Sequence, residues 1–475
     1  MKPIVARAWP AAILLGLFLV SRASYTTVWM GSGRLDFGPD LLSRAAAAVR
    51  GERLHPGAID RSTVLLDERL LREDLGRSLF YLHAQPPLFN AFIALVLKLP
   101  GDVARNVQWL NWGQGLALAV LSFALAVQLG VLRAVALAFA AAGMLNPNTM
   151  WMESAVYYGL PVAVLLAASA LALHRALARD ALPWFAVFGS LIGVVALSRA
   201  QFTLPWCVAA SAFGAACLAG KAPPGRRRRI FWIAAAPCVV LGVYQAKQVA
   251  LFGQWTGSSW LGFNLTAMTG GMGAEKEEAL AHGEVSALVK VPRYSPPSVY
   301  RAYFRVPKTG IPALDEDFKS GGSVNQNNLV YLPASRLYLR DAFRLIVKAP
   351  HKYAGNVLNA VYVASGIQND MYFLPPRQFL QRWGWLRVAA PFVGFPVLVA
   401  ALVWGFRRAR PASGLSRPAR LTVIFLAANV LYVLAVGCLL EKSETVLYRV
   451  QVDSYLYALL GLAVTERLSR WRVRD

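Results

Sequence analysis

The sequence has few charged residues, and few of those are acidic. Charged residues make up 16% of the 475 residues, against roughly 25% in an ordinary soluble domain. Lys and Arg number 49 and Asp and Glu only 25, which gives a net charge of +24. The four cysteines lie within apolar runs without a CxxC spacing, so no disulfide scaffold, redox site or metal site is indicated. This composition argues against a soluble enzyme, a disordered chain and a disulfide-stabilised domain.

Apolar residues are abundant instead, at 56% of the chain. They occur in runs of about 14–22 residues separated by short polar or basic links, a pattern that predicts repeated membrane spans. The predicted fold class is an all-α polytopic membrane protein with about 10–12 transmembrane helices. The apolar runs place ten spans near residues 9–30, 107–128, 131–145, 154–173, 182–197, 201–218, 230–251, 388–406, 421–440 and 454–464.

Clusters of arginine at the ends of apolar runs predict the topology. Residues 226–229, 406–420 and the C-terminal tail are rich in arginine, and the positive-inside rule assigns such links to the cytoplasm. The partners of these clusters are then anionic lipids, and no nucleic acid is expected. Residues 31–85, 252–387 and 441–453 are consequently predicted to lie outside. This parity requires that the apolar stretch 88–99 does not cross, since it is too short for a hydrocarbon core of roughly 30 Å.

These features divide the chain into three predicted segments without an internal repeat. Residues 1–251 form an N-terminal membrane module that includes the first outer loop, residues 31–105. The N-terminal apolar run is interpreted as an uncleaved first span rather than a signal peptide. Residues 252–387 form a large second outer loop, in which residues 336–349 have the periodicity of an interfacial amphipathic helix. Residues 388–475 contain the C-terminal spans.

Candidate functional residues occur first in the first outer loop. Asp36 and Asp40 follow a span directly, and a carboxylate that is partly desolvated near the membrane could act as a general base. One or both could equally cap the following helix. His83 and Gln85 precede Pro86 and Pro87 and place polar groups at the membrane boundary, although an interfacial histidine is most often only solvated.

Four further candidates lie at the outer ends of later spans. Glu153 and Arg199 interrupt apolar surroundings, where ionisable side chains are costly and therefore functional candidates. Their alternative role is snorkelling from a helix end. Glu444 and Arg449 lie in the short outer link 441–453, where an arginine could bind a phosphate through two nitrogens. An ordinary solvated link is the alternative.

In this order the motifs resemble the GT-C class of integral membrane glycosyltransferases. They are most similar to bacterial relatives of protein O-mannosyltransferases and of lipid A aminoarabinose transferase. Asp36 stands where that family has its acidic motif, and residues 83–88 look like its His-x-Pro-Pro-Leu segment with one residue added. Glu153 resembles the acid of the family's middle span, and Arg199 its span-end arginine. The link containing Glu444 and Arg449 is similar to the family's Glu-x-x-Arg-Tyr-Arg link, although Leu447 replaces the first arginine and Asp36 lacks an adjacent acid.

The resemblance implies a GT-C-like bundle that transfers a sugar from a polyprenyl-phosphate-linked donor to an extracytoplasmic protein, lipid or glycan. Asp36 or Asp40 would be the base of an inverting attack, without a metal or other cofactor. His83, Gln85, Glu153, Arg199, Glu444 and Arg449 would bind the donor phosphate or the substrate. The implied location is the bacterial inner membrane, with the active site facing the periplasm. The alternatives are a transporter or flippase of a lipid-linked sugar and a polysaccharide polymerase or ligase.

Overall fold

The computed structural model describes residues 2–25, 62, 64–153, 155–220, 222–366, 377–442 and 444–471. Across these residues the secondary structure is helical, and the one β pairing is an isolated bridge between Phe318 and Val324. Helices that are long and apolar enough to cross a membrane lie at Val103–Gln128, Gly159–Arg179, Pro224–Phe252, Ala389–Arg408 and Arg417–Leu440. The protein is therefore an all-α polytopic membrane protein.

The helices of the described residues fall into two groups in chain order. Those up to the second loop are α1 (Lys2–Tyr25), α2 (Glu68–Glu73), α3 (Leu75–Phe80), α4 (Pro87–Val96), α5 (Val103–Gln128), α6 (Arg133–Met144), α7 (Pro147–Glu153), α8 (Gly159–Arg179), α9 (Leu182–Ser198), α10 (Leu204–Ala219) and α11 (Pro224–Phe252). Those that follow are α12 (Leu261–Ala267), α13 (Gly273–Ala281), α14 (Pro297–Arg301), α15 (Pro312–Asp315), α16 (Tyr331–Lys348), α17 (Pro350–Ser365), α18 (Arg377–Arg408), α19 (Arg417–Leu440), α20 (Thr445–Arg449) and α21 (Asp453–Trp471).

The basic links between helices gather at one end of the bundle. Arg226, at the start of α11, donates a hydrogen bond to the backbone carbonyl of Asp180 after α8 (2.6 Å). At the start of α19, Arg417 reaches the carbonyl of Cys217 in α10 (2.9 Å). Arg408 pairs with Glu466 near the end of α21 (3.1 Å). These contacts place the links after α8, α10 and α18 on one side together with the end of α21, and the positive-inside rule predicts that this side is cytoplasmic.

The two predicted outer loops contact each other at the opposite end of the bundle. Asp67 of the first loop accepts hydrogen bonds from the backbone N–H (2.7 Å) and the hydroxyl (2.8 Å) of Ser320 in the second. The Asn327 side-chain oxygen accepts a hydrogen bond from the backbone N–H of His83 (2.9 Å). Segments that hydrogen-bond directly must lie on the same side of a membrane. The two loops therefore share one face, as the topology derived from the basic clusters requires.

The short apolar helix α4 belongs to this outer layer. It has 10 residues, which at 1.5 Å per residue is about half of the roughly 30 Å needed to cross a hydrocarbon core. The carbonyl of Leu97, just beyond its C-terminus, accepts a hydrogen bond from Arg72 in α2 (2.8 Å). Its Asn90 bonds to the backbone N–H of Leu66 (2.8 Å) and the carbonyl of Val64 (3.2 Å). Both ends of α4 thus contact residues 64–72, the part of the first loop that precedes it. This helix therefore packs along that part of the loop instead of crossing the membrane.

Helix α16 contains the amphipathic pattern noted in the sequence, but protein covers its apolar side. Tyr331, Tyr338 and Leu345 are buried, and the backbone carbonyl of Ser335 packs directly on Gly262 of α12. No side chain other than hydrogen would fit at Gly262, so this glycine allows the two helices to touch. The apolar stripe of α16 therefore forms the core of the second loop rather than a surface for lipid.

The turn after α9 is held against α19, and this contact positions the candidate site. The Trp206 indole N–H donates to the Asn429 side-chain oxygen (2.9 Å). The Tyr432 hydroxyl donates to the carbonyl of Gln201 (2.5 Å). Both acceptors are buried, where a hydrogen bond that is made is worth far more than one left unmade. Arg199, which ends α9, is thereby fixed beside the outer end of α19.

Candidate functional site

Arg199 lies in an aromatic cage at the outer end of the bundle. The cage consists of Tyr157 and Tyr158, which precede α8, and Tyr448 of α20. The Arg199 guanidinium carbon is 4.3 Å from the Tyr448 ring centre, 4.4 Å from that of Tyr158 and 5.8 Å from that of Tyr157. Only 2% of Arg199 is exposed. Cation–π contacts with a desolvated guanidinium contribute about 2 kcal/mol or more, but a ring face accepts no conventional hydrogen bond, so the buried N–H groups still lack the partners that water would provide.

The terminal nitrogens of Arg199 have no hydrogen-bond partner among the described residues. Nη1 and Nη2 are both buried, and no described carboxylate lies within ion-pair distance of them. A buried charged donor that stays unpaired costs free energy, so such groups are rare outside functional sites. Because a guanidinium presents its N–H groups in one plane, these two nitrogens match the oxygens of a carboxylate or a phosphate. Arg199 therefore has the donors that an anion would require.

Glu444 is the second charged residue of the site, and its carboxyl group has no ion-pair or hydrogen-bond partner among the described residues. Its side chain does not cap α20, which it precedes. Burial raises the pKa of Glu444 to about 7, and the negative charge of Glu441 adds to the shift, whereas Arg199 and Arg293 oppose it. Its carboxyl group is consequently poised to gain or lose a proton near neutral pH.

The second outer loop completes the site with Arg293 and Tyr294. Tyr294 has a φ of 61°, a left-handed conformation that a residue with a large side chain rarely adopts. Its ring packs on Trp260 at a centroid distance of 5.2 Å, and its hydroxyl donates to Asn264 (3.3 Å). Arg293 donates a hydrogen bond to the carbonyl of Phe263 (3.3 Å). Strained backbone of this type costs about 1–3 kcal/mol and is concentrated at ligand sites.

Arg449, the other arginine predicted to hold a phosphate, has protein partners. Its Nε donates to the Asp453 carboxylate (3.0 Å). Its Nη1 donates to the backbone carbonyls of Ala364 (2.7 Å) and Gly366 (3.0 Å) at the end of α17. Arg449 therefore joins the 441–453 link to α17. A role in phosphate binding stays a prediction, for which these bonds leave fewer donors than Arg199 has.

Glu153 forms a buried ion pair with Arg22 of α1. Arg22 Nε lies 2.7 Å from one oxygen of Glu153, Nη2 contacts the other, and Nη2 also donates to the carbonyl of Met144 (3.0 Å). Glu153 is 2% exposed, and its carboxylate packs against Gly115 of α5 where a Cβ atom would overlap it. The structure thus brings Glu153 to the first span rather than to Arg199.

His83 and Gln85 lie where the two outer loops meet. His83 is 1% exposed, its Nδ1 is 2.9 Å from the Ser259 hydroxyl, and its ring packs on Phe252 at 5.1 Å. Burial, together with the positive charge of Lys247, lowers the pKa of His83 to about 3, so the imidazole is neutral. The carbonyl of Gln85 accepts a long hydrogen bond from Tyr244 (3.5 Å). These contacts describe a loop junction, and substrate binding by His83 and Gln85 stays a prediction.

The predicted bases Asp36 and Asp40 lie outside the described residues. Of the remaining candidates, the structure brings Arg199 and Glu444 into one site. Sequence reasoning did not select Tyr157, Tyr158 or Arg293 for it. The adjacent tyrosines before α8 are a visible signal, but tyrosines are common at every membrane boundary. Arg293 lies in a loop without periodicity.

Comparisons with models of protein families, with curated proteins and with solved structures return no match to this chain.

Proposed function

We propose that the protein is a membrane glycosyltransferase that uses a polyprenyl-phosphate-linked sugar as donor. The observation that supports this proposal is Arg199, a buried guanidinium whose two terminal nitrogens have no hydrogen-bond partner among the described residues. A lipid-linked phosphodiester at the membrane boundary would supply the missing anion. The proposal places the end of the bundle that carries both predicted outer loops outside the bacterial inner membrane, where an extracytoplasmic acceptor would arrive.

The proposed reaction follows from the charge that develops at the phosphate. The acceptor hydroxyl attacks the anomeric carbon with inversion, and the bond between that carbon and the phosphate oxygen breaks. Its electron pair moves to the phosphate, so negative charge increases where Arg199 would lie. An interaction that strengthens in the transition state accelerates the reaction. A carboxylate takes the proton of the hydroxyl, and Asp36, with Asp40 as the alternative, remains the proposed base.

The test is to reconstitute the purified protein in liposomes with a panel of undecaprenyl-phosphate monosaccharides and a panel of hydroxyl-bearing acceptors (a peptide, a lipid and a glycan), and to measure the release of undecaprenyl phosphate and the glycosylated acceptor by mass spectrometry. Arg199→Ala should lower the rate by about 10²–10³ because the charge stabilisation is lost. Asp36→Asn should lower it by about 10²–10⁴ because the amide cannot accept a proton. Arg229→Ala, an exposed arginine at the basic end of the bundle, is the matched control and should leave the rate unchanged.

Movement of an intact lipid-linked sugar across the liposome membrane, without release of undecaprenyl phosphate for any donor, would instead establish a flippase. Wild-type rates in Arg199→Ala would remove the observation on which the proposal rests. If Asp36→Asn stays active while Asp40→Asn does not, the role of base passes to Asp40.

A further inference from the structure

We propose that Arg199 and Glu444 form one proton-coupled phosphate site, in which a bound phosphate takes its hydrogen bonds from the Arg199 guanidinium and from a protonated Glu444. This inference rests on the proposed function for the identity of the ligand, a lipid phosphodiester. It adds that the protein takes up a proton at Glu444 when the phosphate binds, which a phosphate-binding arginine alone would not do.

The first support is that both groups are desolvated and unpartnered. Arg199 is nine-tenths or more buried, and Nη1 and Nη2 donate to nothing among the described residues. Glu444 is half-buried, and its side chain has neither an ion-pair nor a hydrogen-bond partner there. Glu444 directly precedes α20, and Tyr448, one turn further along α20, packs on the Arg199 guanidinium at 4.3 Å. This contact brings the two side chains to one site, where a phosphate oxygen could accept from both.

The second support is the set of charges around Glu444. From α19 it faces Glu441, from the end of α9 Arg199, and from the second loop Arg293. The phenols that face it are Tyr157, Tyr294 and Tyr448, and burial raises the pKa of each, so they remain neutral. Lys442 lies two residues before Glu444, and its ammonium packs against Gly270.

A phosphate bound to Arg199 would change the charges that determine whether Glu444 is protonated. It would neutralise the guanidinium that favours the Glu444 carboxylate and would add a second negative charge beside Glu441. Both changes favour the protonated form of Glu444. Because burial already raises the pKa of Glu444 to about 7, the negative charge of a phosphate would raise this pKa further and favour uptake of a proton at neutral pH. A carboxylic acid donates a hydrogen bond, whereas a carboxylate would repel the phosphate.

The proton on Glu444 would also take part in the transfer of the sugar. When the bond between the anomeric carbon and the phosphate oxygen breaks, that oxygen receives the electron pair and the phosphate gains a negative charge. The proton on Glu444 can move to the phosphate, which then leaves as a monoanion. The proton of the acceptor goes to the first-loop carboxylate, and Glu444 regains its proton from solvent. All protons and electron pairs are thereby accounted for without a further reactant.

The test measures binding rather than transfer, with a phosphodiester that carries a short isoprenyl chain and a methyl group. A diester has no ionisation of its own near neutral pH, so any pH dependence comes from the protein. For the wild type, titration calorimetry in detergent should show constant affinity below about pH 6. Above about pH 7 the affinity should fall towards tenfold per pH unit, as expected for one linked proton. Calorimetry in buffers of different ionisation enthalpy should show uptake approaching one proton per ligand.

Three variants test whether Glu444 is the group that takes up the proton. Glu444→Gln still offers an N–H donor but cannot titrate, so its affinity should be independent of pH and proton uptake should vanish. Glu441→Gln is the matched control: it should keep the uptake, with the decline in affinity starting at lower pH because one negative neighbour is gone. Arg199→Ala should weaken binding about ten- to a hundredfold at every pH.

The outcomes separate this inference from the proposed function. A pH-independent wild type, or a pH dependence that survives in Glu444→Gln, would overturn the coupling while leaving Arg199 as a phosphate site. Unchanged binding in Arg199→Ala would overturn both. The wild-type proton count does not depend on whether any variant folds.

Discussion

The outer end of the bundle uses buried charge in two different ways. Arg22 and Glu153 neutralise each other, and Arg449 is held by Asp453 and two backbone carbonyls. Among the residues that the structure describes, the terminal nitrogens of Arg199 and the carboxyl group of Glu444 have no such partners. The paired groups join elements that are far apart in the sequence, α1 to α7 and the 441–453 link to α17. The Arg199 guanidinium packs on the rings of Tyr157, Tyr158 and Tyr448, but neither Arg199 nor Glu444 forms an ion pair with a described residue. This difference makes Arg199 and Glu444 the candidate ligand site.

The two arrangements predict opposite effects of mutation. Removing one partner of a buried pair leaves the other charge desolvated and unpaired, which costs about 3–5 kcal/mol. Removing a charge that is already unpaired relieves a desolvation cost and should leave stability unchanged or increased. Substitutions of the paired residues should therefore lower stability, whereas substitutions of Arg199 and Glu444 should change ligand binding without lowering stability.

The largest effect is expected for the Arg22–Glu153 pair. Glu153→Gln keeps the shape of the side chain but leaves Arg22 without a counter-charge, so the free energy of unfolding should fall by about 3–5 kcal/mol. Chemical denaturation in mixed micelles measures it. Glu444→Gln, the same change at the unpaired carboxyl, is the matched control and should be as stable as the wild type. Equal losses in both variants would show that the comparison between paired and unpaired charges is wrong.

An intermediate effect is expected for Arg449. Arg449→Ala removes three hydrogen bonds and leaves Asp453 unpaired. The side chains of this pair are 11% and 9% exposed, against 3% and 2% for Arg22 and Glu153, so the free energy of unfolding should fall by about 2–3 kcal/mol, at or below the range for a fully buried pair, whereas affinity for the phosphodiester should change little. Arg449→Lys keeps the positive charge and should lose less stability than Arg449→Ala, since the ammonium can still reach one of the acceptors. A large loss of phosphodiester affinity with unchanged stability would restore Arg449 as a phosphate ligand.

The smallest effect concerns His83, a buried titratable group at the loop junction. Its folded pKa of about 3 lies below the value of about 6.5 in an unfolded chain. Between these values the unfolded chain binds the proton and the folded protein does not, so stability falls as the pH falls below 6.5. The loss should reach about 1 kcal/mol at pH 5.5. His83→Gln should abolish this part of the pH dependence, and an identical pH profile in this variant would show that His83 is not buried as described.

The sequence predicts much of this architecture because its strongest signals are local. Apolar runs and basic links indicate which helices exist and which ends share a side. The length of residues 88–99 alone indicates that this stretch does not cross. The periodicity of α16 predicts a helix with one apolar side but not what covers it, which depends on contact with Gly262 some seventy positions earlier.

The candidate site was predictable only in part for the same reason. Arg199 is conspicuous because it interrupts two apolar runs. Glu153 is as conspicuous, yet its partner Arg22 lies 131 positions away, and no local pattern shows which of the two charges is neutralised. The distinction between a structural ion pair and a ligand site depends on tertiary contacts, which spacing does not encode.

The contact between the outer loops has a consequence for biogenesis. Asn327 follows its partner His83 by 244 residues, and Ser320 follows Asp67 by 253. At a synthesis rate of about 5–20 residues per second, roughly ten to fifty seconds pass between the emergence of the two partners. During this interval the hydrogen bonds between the two loops cannot form, because the second loop has not yet been synthesised. The nascent protein therefore exposes an incomplete surface to insertases, membrane chaperones and proteases until the second loop arrives.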